Sequence, residues 1–463
     1  MRLVYRIKQF IVAFGDLVCF MIGVFLALTL RHFRLPLWSE IHDHLGLFVA
    51  TFFLWIIVNF INGLYDLSRQ RIDKKMYRTL LEAAVISFIT GVAFFYLFPN
   101  TDFSPKTILL MTVIFGYGLS TCWRILYHRS IRLKTPRTNI LFVGASPETL
   151  ELIDILARYP DKGYHVTALI DPMNSVKPQQ FPDITVYHSL RTLRPSITTH
   201  AVNFVVIAPE LRRDPDAIRE LYGLLFWQVQ MTDLTEFYEV VTGRIPPSTF
   251  SEAWFLEHLR SFERPIYDHV RTFIDYVAAI VLCVICILLF PWIALAIKLS
   301  SKGPLFIKQK RMGRFGQTFT LYKFRSMFAL SADGSAELSG VQFATKNDQR
   351  ITSVGKWLRK MRLDELPQIW NLLRRDVTLI GPRPERPEIV KALEEKMPYY
   401  PLRHVVRPGL TGWALIHQNY TDNYDTSLEK LQYDLYYIKN QSFLLDLAIL
   451  LKTVNVIIKL MGQ

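Results

Sequence analysis

The chain has 463 residues, of which 51% are hydrophobic, 13% aromatic and 20% charged. This composition excludes global disorder, and a mean hydropathy of +0.19 is too apolar for an ordinary soluble enzyme. The 54 Lys and Arg residues outnumber the 40 Asp and Glu residues, which gives a net charge of +14. Such a balance predicts an anionic partner: nucleic acid, a lipid headgroup or a phosphorylated substrate. The four cysteines lie in apolar stretches, so we predict no disulfide framework and no cysteine metal site.

Four apolar segments open the chain, over residues 10–30, 45–64, 80–98 and 107–127. Each has about the 20 residues that a helix needs to cross a bilayer. Basic residues concentrate before the first segment, between the second and third, and after the fourth. The positive-inside rule therefore places the N-terminus and everything after residue 137 in the cytoplasm. We predict a four-helix transmembrane region over residues 1–134, with the Asp16 carboxylate reaching the interface rather than acting as an intramembrane acid.

Residues 135–245 have the pattern of an α/β domain. Strand-like runs at 139–143, 165–170 and 201–208 alternate with helical stretches, which resembles a Rossmann-like unit. Only Gly144 of the three glycines of a dinucleotide fingerprint is present, so a scaffold or regulatory role is favoured over a bound nucleotide. Asp171 could meet a ribose, but a turn residue before Pro172 is the plainer interpretation. The prolines that follow predict a linker over residues 246–264.

A fifth apolar segment, residues 276–297, is long enough to span a membrane, yet basic residues flank both of its ends. Pro291 lies inside it, where it removes a backbone hydrogen bond and bends a helix. We therefore favour a re-entrant helix over residues 272–300, broken at Pro291, which enters and leaves the same leaflet. The alternative is a simple fifth span, which would export the C-terminal domain.

A cationic region follows that helix. Residues 301–332 contain seven basic residues and no acid, which suits either a juxtamembrane patch or phosphate binding by Lys323 and Arg325. An amphipathic stretch at residues 355–363 then leads directly into Asp364 and Glu365. We expect neighbouring cations to lower the pKa of both carboxylates. A salt-bridge network alone would also explain such a pair.

Two further motifs present arginines. Gly381-Pro-Arg-Pro-Glu385 holds Arg383 between Pro382 and Pro384, and residues 407–413 (Arg-Pro-Gly-Leu-Thr-Gly-Trp) form a turn-rich loop that begins with Arg407. A guanidinium in a stiff loop is a suitable bidentate phosphate donor.

In this order, the motifs at residues 323–327, 363–368, 381–384 and 407–413 resemble the bacterial sugar transferase family, the monotopic polyisoprenyl-phosphate hexose-1-phosphate transferases. The resemblance is strong over residues 265–463, the expected catalytic domain. The preceding regions resemble the long form of the family, which implies an α-helical membrane part, a Rossmann-like cytoplasmic domain and a homodimer in the bacterial inner membrane. Two departures stand out: Phe290 replaces the serine that usually precedes the re-entrant proline, and residues 414–420 lack an arginine that many members have there.

The resemblance implies a reaction and roles for individual residues. Asp364 would attack the sugar-linked phosphorus of a UDP-hexose, expel UMP and pass the phosphosugar to polyprenyl (undecaprenyl) phosphate. Glu365 would be a second catalytic residue and a Mg²⁺ ligand, since Mg²⁺ prefers oxygen. The phosphates would be contacted by residues of the basic motifs, namely Lys323, Arg325, Arg359, Pro382, Arg383, Pro384 and Arg407. Inner-leaflet lipids would surround the re-entrant helix.

Two other classes of function are weighed against this expectation. A membrane-anchored oxidoreductase or epimerase would require bound NAD and a Tyr-x-x-x-Lys pair after the third strand, and neither that pair nor the glycine fingerprint is evident. A nucleic-acid-binding protein would spread its basic residues over a soluble face, whereas here they adjoin apolar segments and Asp364. We therefore predict no nucleic-acid partner.

Overall fold

The computed structural model describes residues 2–65, 74–97, 106–132, 138–160, 163–176, 181–259, 264–329, 350–418 and 424–458. These residues form two compact units, Met1–Val241 and Thr242–Gln463.

The first unit begins with four helices: α1 (Arg2–His32), α2 (Trp38–Ile61), α3 (Lys74–Leu97) and α4 (Lys106–Leu126). Their shared core is rich in aromatic side chains, among them the fully buried Phe20, Phe52 and Trp55. By length and composition, Ile7–His32, Met76–Tyr96 and Thr107–Arg129 could each cross a membrane, as could Pro265–Ser300 of the second unit. The apolar part of α2 is shorter, Gly46–Ile61. Three of these four helices have the length and composition predicted for a membrane span, and the four-span region as a whole stays a prediction.

Asp16 is buried between the helices of this bundle, beside the last turns of α2 and α4. Its carboxylate is fully buried and forms a 2.6 Å ion pair with Arg124 of α4. Ser120 donates a 2.6 Å hydrogen bond to the same carboxylate, and Asn59 of α2 contacts it at 3.5 Å. The expectation that Asp16 reaches the interface is therefore wrong. A buried carboxylate is stable here because a buried cation and neutral donors surround it.

The rest of the first unit is an α/β domain, as predicted. Its elements are β1 (Thr138–Val143), α5 (Pro147–Arg158), β2 (Tyr164–Ile170), β3 (Thr185–Tyr187), α6 (Leu193–Thr199), β4 (Phe204–Ile207), α7 (Pro215–Gly223), β5 (Gln230–Asp233) and α8 (Leu234–Thr242). All strand pairs are parallel, in the order β3-β2-β1-β4-β5. This order matches the first five positions of the doubly wound dinucleotide-binding sheet. The strands β3 and β5 were not predicted, because each is short and only partly buried.

The turn after β1 has a packing explanation. Gly144 has a φ of +100°, and a Cβ at this position would lie 2.5 Å from the Cβ of Ala208. Ser146 caps α5 by accepting a hydrogen bond from the Thr149 amide. After β2, the Asp171 carboxylate accepts hydrogen bonds from the Ser175 hydroxyl (3.0 Å) and from the backbone amide five residues on (2.8 Å). The turn interpretation of Asp171 is thus confirmed.

The second unit contains α9 (Glu252–Leu259), α10 (Pro265–Ser300), β6 (Phe306–Met312), β7 (Thr318–Phe324), α11 (Ser353–Lys360), α12 (Ile369–Leu373), β8 (Thr378–Ile380), α13 (Pro387–Lys396), β9 (Gly409–Thr411), α14 (Trp413–His417), α15 (Tyr424–Lys439) and α16 (Phe443–Ile458). Strands β6 and β7 form an antiparallel hairpin, and β8 pairs in parallel with β9. The segment predicted as a linker, residues 246–264, includes α9, whose Phe255 is buried in the core of this unit. The domain bounds at residues 134, 245 and 264 stay predictions.

The apolar helix α10 packs against the rest of the second unit near both of its ends. Near its start, Asp275 accepts hydrogen bonds from the Thr378 hydroxyl (2.6 Å) and the Leu379 amide (3.0 Å). Near its end, Ile293 packs in one apolar cluster with Phe324 of β7. The structure assigns one continuous helix through Pro291. The predicted break at Pro291 is therefore not found, and the re-entrant course stays a prediction.

Candidate active site

The two adjacent carboxylates lie in a 3-10 turn, Leu363–Gln368, between α11 and α12. Arg362, in the left-handed region at a φ of +56°, ends α11 and redirects the chain into this turn. The fully buried Asn371 of α12 fixes the turn against β7: its amide donates to the carbonyl of Thr320 at 2.7 Å, and its carbonyl accepts from the amide of Tyr322 at 3.2 Å. Sequence reasoning missed Asn371, because a lone asparagine in an apolar helix carries no motif.

Glu365 is the centre of an ion-pair cluster. Its Oε1 accepts a 2.8 Å hydrogen bond from Arg383 and a 3.1 Å hydrogen bond from Lys323 of β7. Its Oε2 lies 3.7 Å from a guanidinium nitrogen of Arg362. Burial would raise the pKa of Glu365, but the charges of Arg383 and Lys323 outweigh it and hold the pKa well below its usual range.

Asp364 differs from its neighbour, although both were predicted to have lowered pKa values. Its side chain is buried, with 7% of the residue exposed, and within the described residues no ion pair engages it. Burial raises the pKa of Asp364, and the nearby negative charge of Glu365 adds to this, while Lys323 and Arg359 act in the opposite direction. The prediction is therefore wrong for Asp364 and confirmed for Glu365. One carboxylate is neutralised by cations, and the other stays available.

Arg383 lies in a loop in which the backbone carbonyls of residues 382–384 each accept a hydrogen bond. The Gly409 amide donates to the carbonyl of Pro382 at 2.9 Å. Arg403 donates to the carbonyl of Arg383 at 3.0 Å, and Arg311 donates to that of Pro384 at 3.2 Å. The two prolines thus contribute backbone acceptors that fix the guanidinium between them beside Glu365.

A buried charge network lies beneath this loop. Arg403 donates to Asp434 at 2.7 Å, and Lys430 donates to Glu385. Burial would raise the pKa of Glu385, but the positive charges of Lys430 and Arg403 hold it to about 2. Burial also lowers the pKa of His404 to about 4. Of these residues, the sequence motifs include only Glu385, since the others come from α15 and from a 3-10 turn far along the chain.

Arg325 and Arg359 were both predicted to contact phosphate, but they make different contacts in the structure. The guanidinium of Arg325 is buried and donates to three backbone carbonyls at the end of α10: Ile297 at 3.3 Å, Ser301 at 2.7 Å and Lys302 at 2.7 Å. Arg359 of α11 instead donates to the Ser326 hydroxyl at 3.0 Å, and its charge acts on Asp364. Arg325 therefore clamps the end of the helix, and its contact with a phosphate stays a prediction.

Arg407 lies among other arginines instead of beside the two carboxylates Asp364 and Glu365, which we call the dyad. Burial lowers the pKa of its guanidinium, and the charges of Arg375, Arg314 and Arg271 lower it further. The loop after Trp413, where the family arginine is missing, is described only in part. Gln418 donates to the carbonyl of Thr426 at 2.8 Å, and residues 419–420 lie outside the described residues.

Comparison of the sequence with those of known proteins identifies its family. The family model of the bacterial sugar transferases matches residues 266–460, and that of a CoA-binding domain matches residues 60–221. The uncharacterized sugar transferase EpsL of Bacillus subtilis is 38% identical over 188 residues, which are 40% of this chain and 86% of that protein. The chain belongs to the bacterial sugar transferase family. It is therefore a transferase, and the resemblance inferred from the motifs is confirmed.

Longer relatives extend the match beyond the catalytic domain. The transferase is 28% identical over 463 residues to the UDP-glucose:undecaprenyl-phosphate glucose-1-phosphate transferase of Klebsiella pneumoniae, covering 95% of this chain and 93% of that protein. It is 37% identical over 261 residues to the UDP-N-acetylgalactosamine-undecaprenyl-phosphate N-acetylgalactosaminephosphotransferase of Aeromonas hydrophila. The second match spans 56% of this chain and 60% of the Aeromonas protein.

The dyad suits Mg²⁺ only with ligands that a substrate brings. Among the described residues no group of three or more His, Cys, Asp or Glu side chains could hold a metal ion. Mg²⁺ is often bound by one or two carboxylates together with substrate phosphates and water. Glu365 and Asp364 would supply those carboxylates, with the Oε2 of Glu365 the less engaged oxygen of that side chain. When bound, Mg²⁺ would neutralise charge on the diphosphate.

The opposite pKa directions of the two carboxylates predict a pH profile. A nucleophilic role for Asp364 would require its ionised form, so its raised pKa would make activity fall on acidification at a higher pH than an ordinary aspartate, with a pKa of about 3.9, would give. Glu365→Gln removes a neighbouring negative charge, so the acid limb of kcat/KM for UMP release is expected to move to lower pH. Lys323→Met removes a stabilising cation and is expected to move that limb to higher pH.

The control for this profile is Glu388→Gln, an exposed acid on α13 whose loss should leave the limb in place. A shift of both dyad variants in the same direction would contradict the assignment of the limb to Asp364.

The Arg325 clamp predicts a loss of stability rather than of substrate affinity. Arg325→Met removes three hydrogen bonds to backbone carbonyls, of which that of Ile297 keeps the hydroxyl of Ser300 as a donor. The free energy of unfolding is expected to fall by about 1–3 kcal/mol. Denaturant unfolding of the detergent-purified protein measures this change. Arg359→Met removes one bond to a hydroxyl and should cost less. Unchanged stability in Arg325→Met together with a raised KM for the UDP-sugar would argue for a phosphate contact instead.

Proposed function

We propose that this transferase moves a hexose-1-phosphate from a UDP-sugar to polyprenyl (undecaprenyl) phosphate and releases UMP. The observation that carries the proposal is the buried Asp364 carboxylate, which no ion pair engages within the described residues, beside a cluster of cations that its neighbour Glu365 holds together. The names of the Klebsiella and Aeromonas relatives specify this class of reaction. The product would start the assembly of an exopolysaccharide, capsule or O-antigen repeat.

The first displacement forms a covalent intermediate. A carboxylate oxygen of Asp364 attacks the sugar-linked phosphorus of the UDP-sugar, and the bond between that phosphorus and the bridging oxygen of UMP breaks. UMP leaves with the bonding electron pair, and the phosphosugar stays on Asp364 as an acyl phosphate. A carboxylate that cations already neutralised would be a poorer nucleophile, which is why we assign this step to Asp364 and not to Glu365.

The second displacement restores the carboxylate. A phosphate oxygen of the polyprenyl carrier attacks the phosphorus of the intermediate, the bond to Asp364 breaks, and polyprenyl-diphospho-hexose is released. Two displacements let a soluble donor and a lipid acceptor use one nucleophile in turn.

The cations of the cluster have a defined task in both steps. A diphosphate repels a carboxylate, so positive charge must lie where negative charge develops on the transferred phosphate and on UMP. Lys323 and Arg383, which bind Glu365, and Arg359, which acts on Asp364, are our candidates for this role.

The packing of α10 supports a location at the membrane surface. Both ends of this helix contact the same folded body: Arg271 donates to the carbonyl of Ile380, and Arg325 donates to carbonyls at the other end. A helix that crossed the bilayer would separate its two ends by about 30 Å of hydrocarbon. We therefore propose that α10 does not cross the bilayer but is held in the cytoplasmic leaflet of the inner membrane, and that the transferase acts there as a homodimer.

An exchange experiment tests the reaction and its covalent step together. Purified full-length protein is incubated with labelled UMP and, in turn, UDP-glucose, UDP-galactose or UDP-N-acetylgalactosamine, without any lipid acceptor. A covalent intermediate predicts that label enters at least one UDP-sugar, and that adding polyprenyl phosphate converts that donor into lipid product. Chelation of divalent cations is expected to stop both reactions.

The outcomes separate the parts of the proposal. Lipid product without UMP exchange would contradict the covalent intermediate and leave a direct transfer. Absence of both reactions with every donor, in protein shown to be folded, would contradict the proposed function.

A further inference from the structure

A second group of cations lies apart from the dyad in the same unit. It comprises four arginines: Arg271 of α10, Arg314 in the turn after β6, Arg375 after α12 and Arg407 before β9. We call these four residues the arginine cluster. None of them is among the cations that pair with Glu365, which are Lys323, Arg362 and Arg383.

Backbone and hydroxyl acceptors hold three of the four guanidinium groups. Arg271 donates to the carbonyl of Ile380. Arg375 donates to the hydroxyl of Thr272, the residue after Arg271, at 3.1 Å. Arg314 donates to the carbonyl of Val405, two residues before Arg407, at 3.2 Å. Neutral acceptors position these groups without compensating their charge.

Arg407 is the member that lacks a partner. Its side chain is half-buried, and within the described residues it has neither a hydrogen bond nor an ion pair. The backbone next to it is held by a 2.9 Å hydrogen bond from the Thr378 amide to the carbonyl of Pro408. The charges of the other three arginines reach it and, after burial, lower the pKa of its guanidinium.

Nearby carboxylates do not balance the cluster. The acids that act on Arg271 and Arg407 are Asp275 and Asp446. Asp275 already accepts hydrogen bonds from the hydroxyl of Thr378 and from a backbone amide, and Asp446 accepts from two tyrosine hydroxyls. Within the described residues, no ion pair joins any of the four arginines to a carboxylate. Like charges gathered at one place are costly without an anion between them.

Apolar side chains on the same elements indicate where this anion would come from. Phe273, two residues after Arg271, is 68% exposed, and so is Phe315, which follows Arg314. Trp370 of α12 is 56% exposed. The apolar run of α10 begins five residues after Arg271. Exposed aromatic residues beside arginines are typical of the depth at which lipid headgroups lie.

We propose that the arginine cluster binds the phosphate of an anionic membrane phospholipid, at a site distinct from the catalytic dyad. The proposal rests on the placement of α10 in the membrane described above, but not on the transfer reaction. The phosphodiester of a phospholipid headgroup would accept hydrogen bonds from Arg407 and offset the positive charge of the cluster. The site would hold the start of α10 at headgroup depth.

Direct binding tests this site without any measurement of activity. Full-length protein in neutral detergent is titrated with short-chain phosphatidylglycerol by calorimetry, and then with phosphatidylcholine, inorganic phosphate and polyprenyl phosphate. Saturable binding of phosphatidylglycerol is expected, weakened about fivefold for each of Arg407→Gln, Arg375→Gln and Arg314→Gln, and weakened further by salt. Lys391→Gln, which removes an exposed charge on α13, should bind like the wild type.

Each other result would overturn the proposal. Equal binding by the arginine variants and the wild type would remove the cluster from lipid binding. Inorganic phosphate that binds as tightly as phosphatidylglycerol would make this a site for free anions. Loss of polyprenyl phosphate binding alone would assign the cluster to the acceptor substrate. Arg314→Gln keeps the test decisive if another variant fails to fold, because Arg314 is exposed and makes one backbone contact.

Discussion

Asp364→Asn is expected to lower UMP release from the preferred UDP-sugar by about 10⁴-fold or more, and to abolish the exchange of labelled UMP. Asparagine fits the same buried space, but its amide is not a nucleophile at phosphorus, and removal of a catalytic nucleophile has effects of this size. Glu365→Gln retains the nucleophile and is expected to lose less. Mass spectrometry of the intact wild-type protein, after incubation with donor alone, should show the added mass of one phosphosugar.

The control for this experiment is again the exposed Glu388→Gln on α13, which should release UMP at the wild-type rate. Exchange that survives in Asp364→Asn, or a phosphosugar found on another residue, would contradict the assigned nucleophile. The dyad would then be a salt-bridge network that holds Lys323 and Arg383 in place.

Arg124→Met is expected to destabilise the helical bundle by about 3–5 kcal/mol, because it leaves the fully buried Asp16 carboxylate without its cation. Asp16→Asn, which removes the carboxylate that Arg124 binds, should lower the free energy of unfolding by a similar amount. The double variant removes both charges and should recover much of the stability. Thermal unfolding in detergent of the wild type, the two single variants and the double variant gives the coupling between the two residues.

Additive losses in the double variant would contradict a direct interaction. Arg78→Met is a suitable control, since the pair of Arg78 with Glu82 is exposed on the first turns of α3 and should contribute less than about 1 kcal/mol.

The spacing of apolar residues predicted helices and strands correctly where the burial of one face determines the structure. The apolar segments correspond to α1–α4 and α10, and the runs beginning near 139, 165 and 201 contain β1, β2 and β4. Spacing of apolar residues reports which face is buried, so it works for a helix or strand considered by itself. The spacing does not show which residues distant in sequence contact each other. Asp16 and Arg124 are 108 residues apart, and nothing local to either one predicts their ion pair.

The same limit applies to the site. Motifs correctly brought Asp364, Glu365, Lys323 and Arg383 together, because their order along the chain resembles that of a known family. Motifs could not separate the roles of arginines that look alike in sequence. Arg325 has its acceptors on the end of a helix, and Arg407 lies in a different cluster. Residue type predicts what a guanidinium can bind, and only the fold determines what is within its reach.

The clamp of Arg325 on α10 has a consequence for how the lipid substrate must approach. Arg325 directly follows β7, and that strand carries Lys323, whose ammonium group binds the neighbour of Asp364. The end of the lipid-embedded helix and the nucleophile are thus joined through one rigid strand. With α10 in the leaflet as proposed, the height of the reacting carboxylate above the hydrocarbon is fixed by the protein. The carrier must therefore rise to the site, and bilayers of different thickness should alter how readily it does so.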